Sequence, residues 1–146
     1  MTVAVRKAGL SDLSELVAWG KSQHPKAGDG VLFNAVWFRN VLKAAMHDQA
    51  QLVLVAKRDG AVCGMLLGVV TPMLWSPMLC ATDQLFVAEA GGAQLFDAFI
   101  DWCKRMRVKR IDMGVSTAGN PAVDRFYRMR GMQRAGGMYF RNLGTQ

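Results

Sequence analysis

Residues 83–105 read DQLFVAEAGGAQLFDAFIDWCKR, and the change of character inside this stretch decides how the chain folds. An apolar run of strand type, Leu85-Phe86-Val87, stops at Ala88-Glu89-Ala90-Gly91-Gly92-Ala93. From there Phe96, Phe99, Cys103 and Met106 recur at helical spacing, with Asp97, Asp101, Lys104 and Arg105 on the other side. Strand, small-residue turn and helix start form a recurrent phosphate-binding arrangement. The first N–H groups of a helix lack intrahelical partners and carry the positive end of its dipole. Gly91 and Gly92 add close backbone approach.

Downstream, VKRIDMGVS reads as a strand, NPAVDRFYRMR as a short helix and GMYFRNL as a final strand. Asn120 is placed to cap the helix, Pro121 to open its first turn and Gly131 to stop it. Upstream, VAVRKA is a strand, and SDLSELVAWGKS a helix with Ser11 as its cap and Leu13, Leu16, Val17 and Gly20 on one face. NAVWFRNVLKAAMHD is a second helix, capped by Asn34, with Val36, Trp37, Val41, Leu42 and Ala45 recurring at helical spacing. QLVLVAK and AVCGMLLGVV are strands joined at Asp59-Gly60, a strong hairpin signal. Prolines 72 and 77 make TPMLWSPML an irregular or edge connection. Its Met73, Leu74, Trp75 and Met78 suit a substrate wall, a protein contact, or packing onto the domain. The order is β-α-α-β-β-β-α-β-α-β. It describes one α/β domain over residues 1–146, a mixed, mostly antiparallel sheet flanked by helices.

With 51% hydrophobic and 20% charged residues, the 146-residue chain has a globular composition, not a disordered one. No apolar run approaches the ~18 residues of a membrane span, and the N-terminus lacks a signal-peptide pattern. A cytoplasmic protein is expected. Cys63, Cys80 and Cys103 are widely spaced, with no CxxC and no zinc-type Cys/His spacing, so neither a metal site nor a disulfide framework is indicated. His24 and His47 are isolated. Residues 1–100 hold eight Lys/Arg against eight Asp/Glu, so the whole net charge of +7 arises from residues 101–146. That bias favours an anionic partner or simply a solvated basic surface. No aromatic-interleaved groove pattern accompanies it, which argues against nucleic acid.

The order and three signatures together resemble the GNAT superfamily of N-acetyltransferases over nearly the whole chain. DQLFV is similar to that family's fourth strand. The strand-to-helix turn corresponds to its Arg/Gln-x-x-Gly-x-Gly/Ala motif. NPAVDRFYRMRGM resembles its Asn-x-x-Ala-x-x-Phe-Tyr-x-x-x-Gly-Phe ending, through Asn120, Val123, Phe126, Tyr127, Gly131 and Met132. The resemblance implies acetyl-CoA as co-substrate and an amine-bearing small molecule or protein as acceptor. It implies Asp83 as catalytic base and Tyr127 as acid. Leu85, Phe86, Val87, Gly91, Gly92, Ala93, Gln94, Asn120, Phe126 and Arg128 are the implied cofactor contacts, with no metal. Each residue also has a plain structural role open to it. Asp83 can bond locally at a strand end, Tyr127 can pack, Asn120 can cap, and Arg125, Arg128 and Arg130 can form a solvated face.

The turn departs from the family pattern. Ala88 stands where Arg or Gln is usual, only Ala88, Glu89 and Ala90 separate Val87 from Gly91, and Glu89 brings negative charge. A shorter turn offers fewer N–H groups to a diphosphate. Two functions therefore stand side by side: an N-acetyltransferase with a shortened pyrophosphate loop, and a catalytically eroded relative serving as a binding or structural component of a larger assembly. The second would engage a protein partner through residues 71–79, and homo-oligomers fit either.

Overall fold

A computed structural model describes residues 2–27, 30–114 and 121–144. Its elements are β1 (Val3–Lys7), α1 (Leu13–Gln23), α2 (Ala35–Met46), β2 (Gln51–Arg58), β3 (Ala61–Met73), β4 (Ser76–Ala88), α3 (Gly92–Arg105), β5 (Arg110–Asp112) and α4 (Pro121–Arg128). The strands form one sheet in the order β1-β2-β3-β4-β5. Neighbours are antiparallel except β4 and β5, which run parallel because α3 is the crossover between them. This is the expected mixed sheet flanked by helices.

The near-continuous apolar run of β2 follows from helices on both faces of the sheet. Leu52, Leu54 and Ala56 face one way and pack with Leu95, Phe99 and Cys103 of α3. Val53 and Val55 face the other way and pack with Leu13 and Leu16 of α1 and Leu42 and Ala45 of α2. Phe99 is fully buried against the sheet, and truncating such a side chain costs about 3–5 kcal/mol. Gly68 of β3 makes room for it, since a Cβ there would collide with the Phe99 ring. Cys63 and Cys103 are buried free thiols, and burial pushes the Cys103 thiol up to about 11, so they serve as small apolar residues.

One buried carboxylate anchors the start of α1. Asp12 is 4% exposed and accepts two hydrogen bonds from the Arg6 guanidinium at 2.7 and 2.8 Å, plus the Gly9 N–H at 2.8 Å. Lys57 stands 3.5 Å from Asp12 and 3.1 Å from Glu15, whose other oxygen accepts the Val62 N–H. The hydrogen bonds from Arg6 hold the Asp12 carboxyl far below the usual carboxylate range. This network replaces the expected Ser11 cap.

Local chemistry sets the turns as expected. Asp59 and Gly60 both adopt positive φ, 53° and 79°, the conformation of a tight two-residue hairpin. The Asn34 side chain accepts from the Trp37 N–H at 2.9 Å and caps α2.

Other readings need correction. Val36 and Trp37 are 72% and 70% exposed, and the buried face of α2 is carried by Leu42 and Ala45, with Phe38 and Val41 packed beside them. TPMLWSPML, read as an irregular or edge connection, is strand with open edges and one irregularity between Pro72 and Met73. Pro72 pairs with Leu79 and Met73 with Ser76, so β3 and β4 continue as a ribbon to a tip at Leu74 and Trp75. β2 leaves β3 after Val69, and β5 joins β4 only at Cys80. Both outer edges of the ribbon are therefore open, and an open edge tolerates proline. Residues 137–143, read as a closing strand, pair with no strand in the described structure, and Met138, Tyr139, Phe140 and Leu143 are exposed. Asn120 lies outside the described residues.

Two β-bulges set the geometry of the sheet centre. Ala56 faces Gly64 and Lys57 faces Val62, which leaves Cys63 as the extra residue on β3. Leu67 faces Leu85 and Gly68 faces Asp83, which leaves Gln84 as the extra residue on β4.

Candidate active site

β4 and β5 pair only from Cys80–Thr82 against Arg110–Asp112, while β4 stays on β3 as far as Ala88. From Gln84 to Ala88 the outer edge of β4 thus has no strand partner among the described residues, and alternate residues direct N–H and C=O groups away from β3. The Gln84 bulge increases the local twist where the strands part, a common placement beside binding sites. A cavity of about 740 Å³ occupies the opening, lined by β4, α1, α4, Gly114 and the start of α3.

Asp83 and Tyr127 both line this cavity and meet at Gly114, just past the end of β5. The Gly114 N–H donates to Asp83 Oδ1 at 2.9 Å, and the Tyr127 hydroxyl donates to the Gly114 carbonyl at 3.4 Å. Burial raises the Asp83 carboxyl above its ordinary value, and the Gly114 hydrogen bond pulls weakly the other way. Burial raises the Tyr127 phenol further, with help from the Asp83 charge. A carboxylate made more basic thus stands beside a phenol that keeps its proton, a pairing suited to proton abstraction and hydrogen-bond donation.

Leu85, Phe86 and Val87 line the cavity, as does Gly92. Gly91 does not. Its φ of 81° is left-handed, and a Cβ there would meet Val3 Cγ1 at 2.6 Å, so this glycine is required by the packing of the turn on β1. Ala93 and Gln94 follow in the first turn of α3, with Gln94 exposed. No side chain caps α3 and no acidic residue sits in its first turn, which leaves its N-terminus suited to an anion. Glu89 bonds instead to the Gln23 amide at 2.7 Å and lies 3.7 Å from Lys26 Nζ. The Glu89 and Ala90 N–H groups both donate to the carbonyl of the bulged Cys63, at 2.8 and 3.2 Å.

Phe126 lines the cavity and packs edge-on to Phe86 and Phe96, with the Arg130 guanidinium 3.7 Å above its ring. Arg128 instead bonds to Asp124 at 2.8 Å, one turn back on α4. The opposite wall, not anticipated from the sequence, consists of Trp19, Phe33 and Phe38, and Met65 of β3 also lines the cavity. Gly114 was also missed, because it stands 31 residues from Asp83 and its one local signal is a glycine ending a strand. Among the described residues no cluster of metal-ligating side chains forms.

Residues 1–128 match the profile of the acetyltransferase (GNAT) domain. No curated protein matches the chain. Several solved structures share its fold. A transcriptional regulator from Bacillus halodurans C-125 is 22% identical, with TM-score 0.74 over 97% of this chain and 100% of that one. A predicted acetyltransferase with acetyl-CoA from Clostridium acetobutylicum is 16% identical, with TM-score 0.75 over 97% and 96%. Glucosamine-6-phosphate N-acetyltransferase from Arabidopsis thaliana is 13% identical, with TM-score 0.75 over 99% and 100%. At these identities the likeness is one of fold.

Proposed function

The chain belongs to the GNAT acetyltransferase family, and from that premise we propose that it transfers an acetyl group from acetyl-CoA to an amine. The observation that carries this reading is the convergence of Asp83 and Tyr127 on Gly114 where β4 parts from β5. The surroundings fit the cofactor: an open β4 edge for an extended arm, an apolar floor at Phe86 and Phe126, and an uncapped helix N-terminus for phosphate. The open edge of Leu85, Phe86 and Val87 would hold the arm, and the Gly92, Ala93 and Gln94 amides the phosphates. The phosphate cradle is a shortened one, since the Glu89 and Ala90 amides earlier in the turn are bonded to Cys63. Asn120, beyond the described residues, and Arg128, which would first have to leave Asp124, remain proposed contacts of lesser weight.

Acetyl-CoA would supply an acetyl group activated as a thioester. Asp83, engaged by Gly114 through Oδ1, takes the amine proton at Oδ2. Tyr127 keeps its own proton across the neutral range and offers its O–H where negative charge develops on the departing sulfur. An ordinary thiol near 8.5 is more acidic than this phenol, so Tyr127 acts as a hydrogen-bond donor more than as a carrier of a full proton.

Calorimetric titration with acetyl-CoA tests the reading. A dissociation constant of about 1–100 μM is expected, and absence of binding up to about 1 mM would overturn it. Tyr127→Phe is expected to lower kcat by about 10–100-fold with KM little changed, as loss of a donor acting in the transition state does. Unchanged turnover would remove Tyr127 from the mechanism.

Specific observations favour a second reading, an eroded relative that binds a protein partner. The turn is closed onto Cys63, and the ribbon tip exposes Leu74 and Trp75 at 86% and 90%. That reading predicts no acetyl-CoA binding and stable retention on a larger assembly, so the same titration separates the two.

A further inference from the structure

We propose that the acceptor is a singly charged primary amine carried on an aromatic or branched apolar skeleton. This names the substrate class for the acetyltransferase reading and rests on it. The cavity wall facing β4 comes from α1, α2 and the segment between them. There Trp19, Phe33 and Phe38 line the cavity, with Met65 of β3 and Leu85 of β4 on the side of the sheet. The rings form a continuous surface: His24 to Phe33 is 5.7 Å between centroids, and Phe33 to Phe38 is 5.4 Å, both tilted. Gly20 is required for this wall, because a Cβ there would meet Phe38 Cε2 at 2.6 Å. Such a surface buries an apolar skeleton well and attracts an ammonium to its ring faces.

The charges narrow the class further. Among the described residues that line the cavity Asp83 is the one carboxylate, and it is the group that takes the amine proton. A second ammonium, as in a polyamine or aminoglycoside, would enter an aromatic cavity where no second carboxylate among the described residues meets it, at a large desolvation cost. A phosphorylated amine fares no better. Lys26 stands at the rim, but 3.7 Å from Glu89 and bonded to the Gln23 amide oxygen, so its charge is already matched.

Phenethylamine, isoamylamine, spermidine and kanamycin are titrated calorimetrically into the purified protein, with and without CoA. Phenethylamine is expected to bind at least about tenfold more tightly than spermidine or kanamycin, a difference of about 1.4 kcal/mol. Isoamylamine is expected between them. Phe33→Ala and, separately, Trp19→Ala are expected to weaken phenethylamine by about 5–30-fold while leaving spermidine unchanged, as loss of ring contacts does. The proposal is overturned if spermidine or kanamycin binds as tightly as phenethylamine. It is equally overturned if phenethylamine gives no binding up to about 10 mM in either condition, a limit near 2.7 kcal/mol of affinity, or if neither variant weakens it. These titrations do not use acetyl-CoA. Loss of acetyl-CoA binding with amine selectivity intact would thus remove the acetyltransferase reading and leave an amine-binding cavity, whereas loss of amine selectivity would remove this proposal alone.

Discussion

An Asp83→Asn variant is expected to lose about 10²–10⁴-fold in kcat/KM while its acetyl-CoA affinity stays within about twofold, the range for removal of a positioned general base. Asparagine keeps the shape and can still accept the Gly114 N–H through its amide oxygen, so the loss reports the missing base, not a collapsed site. The pH profile supplies a second signature. Burial raises the Asp83 carboxyl above its ordinary value, so the acid limb of the wild-type kcat/KM is expected above the usual carboxylate range near ~3.9, and absent from the variant. Stability moves the other way. A group whose folded pKa is raised favours folding at pH below its unfolded pKa, and that contribution is lost as pH rises through the folded pKa. At neutral pH the ionised Asp83 is therefore a cost to folding, and the variant is expected to melt at the same temperature or higher. Equal activity at every pH would remove Asp83 from the chemistry. A large fall in melting temperature would make its role structural.

A large stability effect is also expected at the buried Asp12. Asp12→Ala leaves Arg6, Lys57 and the Gly9 N–H without their common partner, and the loss is expected to be about 2 kcal/mol, since the Arg6 charge left behind is half exposed and can be hydrated. For a chain of this size that corresponds to a fall of roughly 4–8 °C in melting temperature. The sign with pH is opposite to that of Asp83. Hydrogen bonds from Arg6 depress the folded pKa of Asp12, so its contribution is full above the unfolded value near ~3.9 and disappears as pH falls through the folded one. Urea denaturation at pH 7 and at progressively lower pH is expected to show the two proteins converging in acid. A constant gap would mean that packing, not charge, accounts for the loss. Neither Arg6 nor Asp12 lines the cavity, so affinity for acetyl-CoA is expected to be unchanged in this variant.

Features set by neighbours in the chain were legible in the sequence. Asn34 caps α2, and Asp59-Gly60 turns the hairpin, because a hydrogen bond two or three residues away or a positive φ is a local requirement. Val41, Leu42 and Ala45 were placed correctly on the covered face of α2, but Val36 and Trp37 in its first turn were not, because only the sheet decides which apolar residues are covered. The prolines at 72 and 77 suggested an irregular or edge segment, and the edge is what the structure has. A proline is excluded from a strand only where its nitrogen must meet a neighbouring strand, and among the described residues the ribbon has no neighbouring strand on its outer edges. Residues 137–143 have strand chemistry, but pairing needs a partner edge that no sequence pattern specifies. In the site, Asp83 and Tyr127 were named through a family resemblance. Gly114, the group that joins them, and the aromatic wall of Trp19, Phe33 and Phe38 depend on long-range packing and left no signal.

The tether at Cys63 ties together two things usually treated as separate. The β4–α3 turn is short, and its first amides are bonded to the carbonyl of Cys63, the residue that β3 carries in excess opposite β2. Gly64 already faces Ala88, so these bonds carry the β3–β4 ladder one step past the end of β4. The turn is thus an extension of the sheet as much as the start of a helix. A longer, more enveloping loop would have to give up that step of pairing.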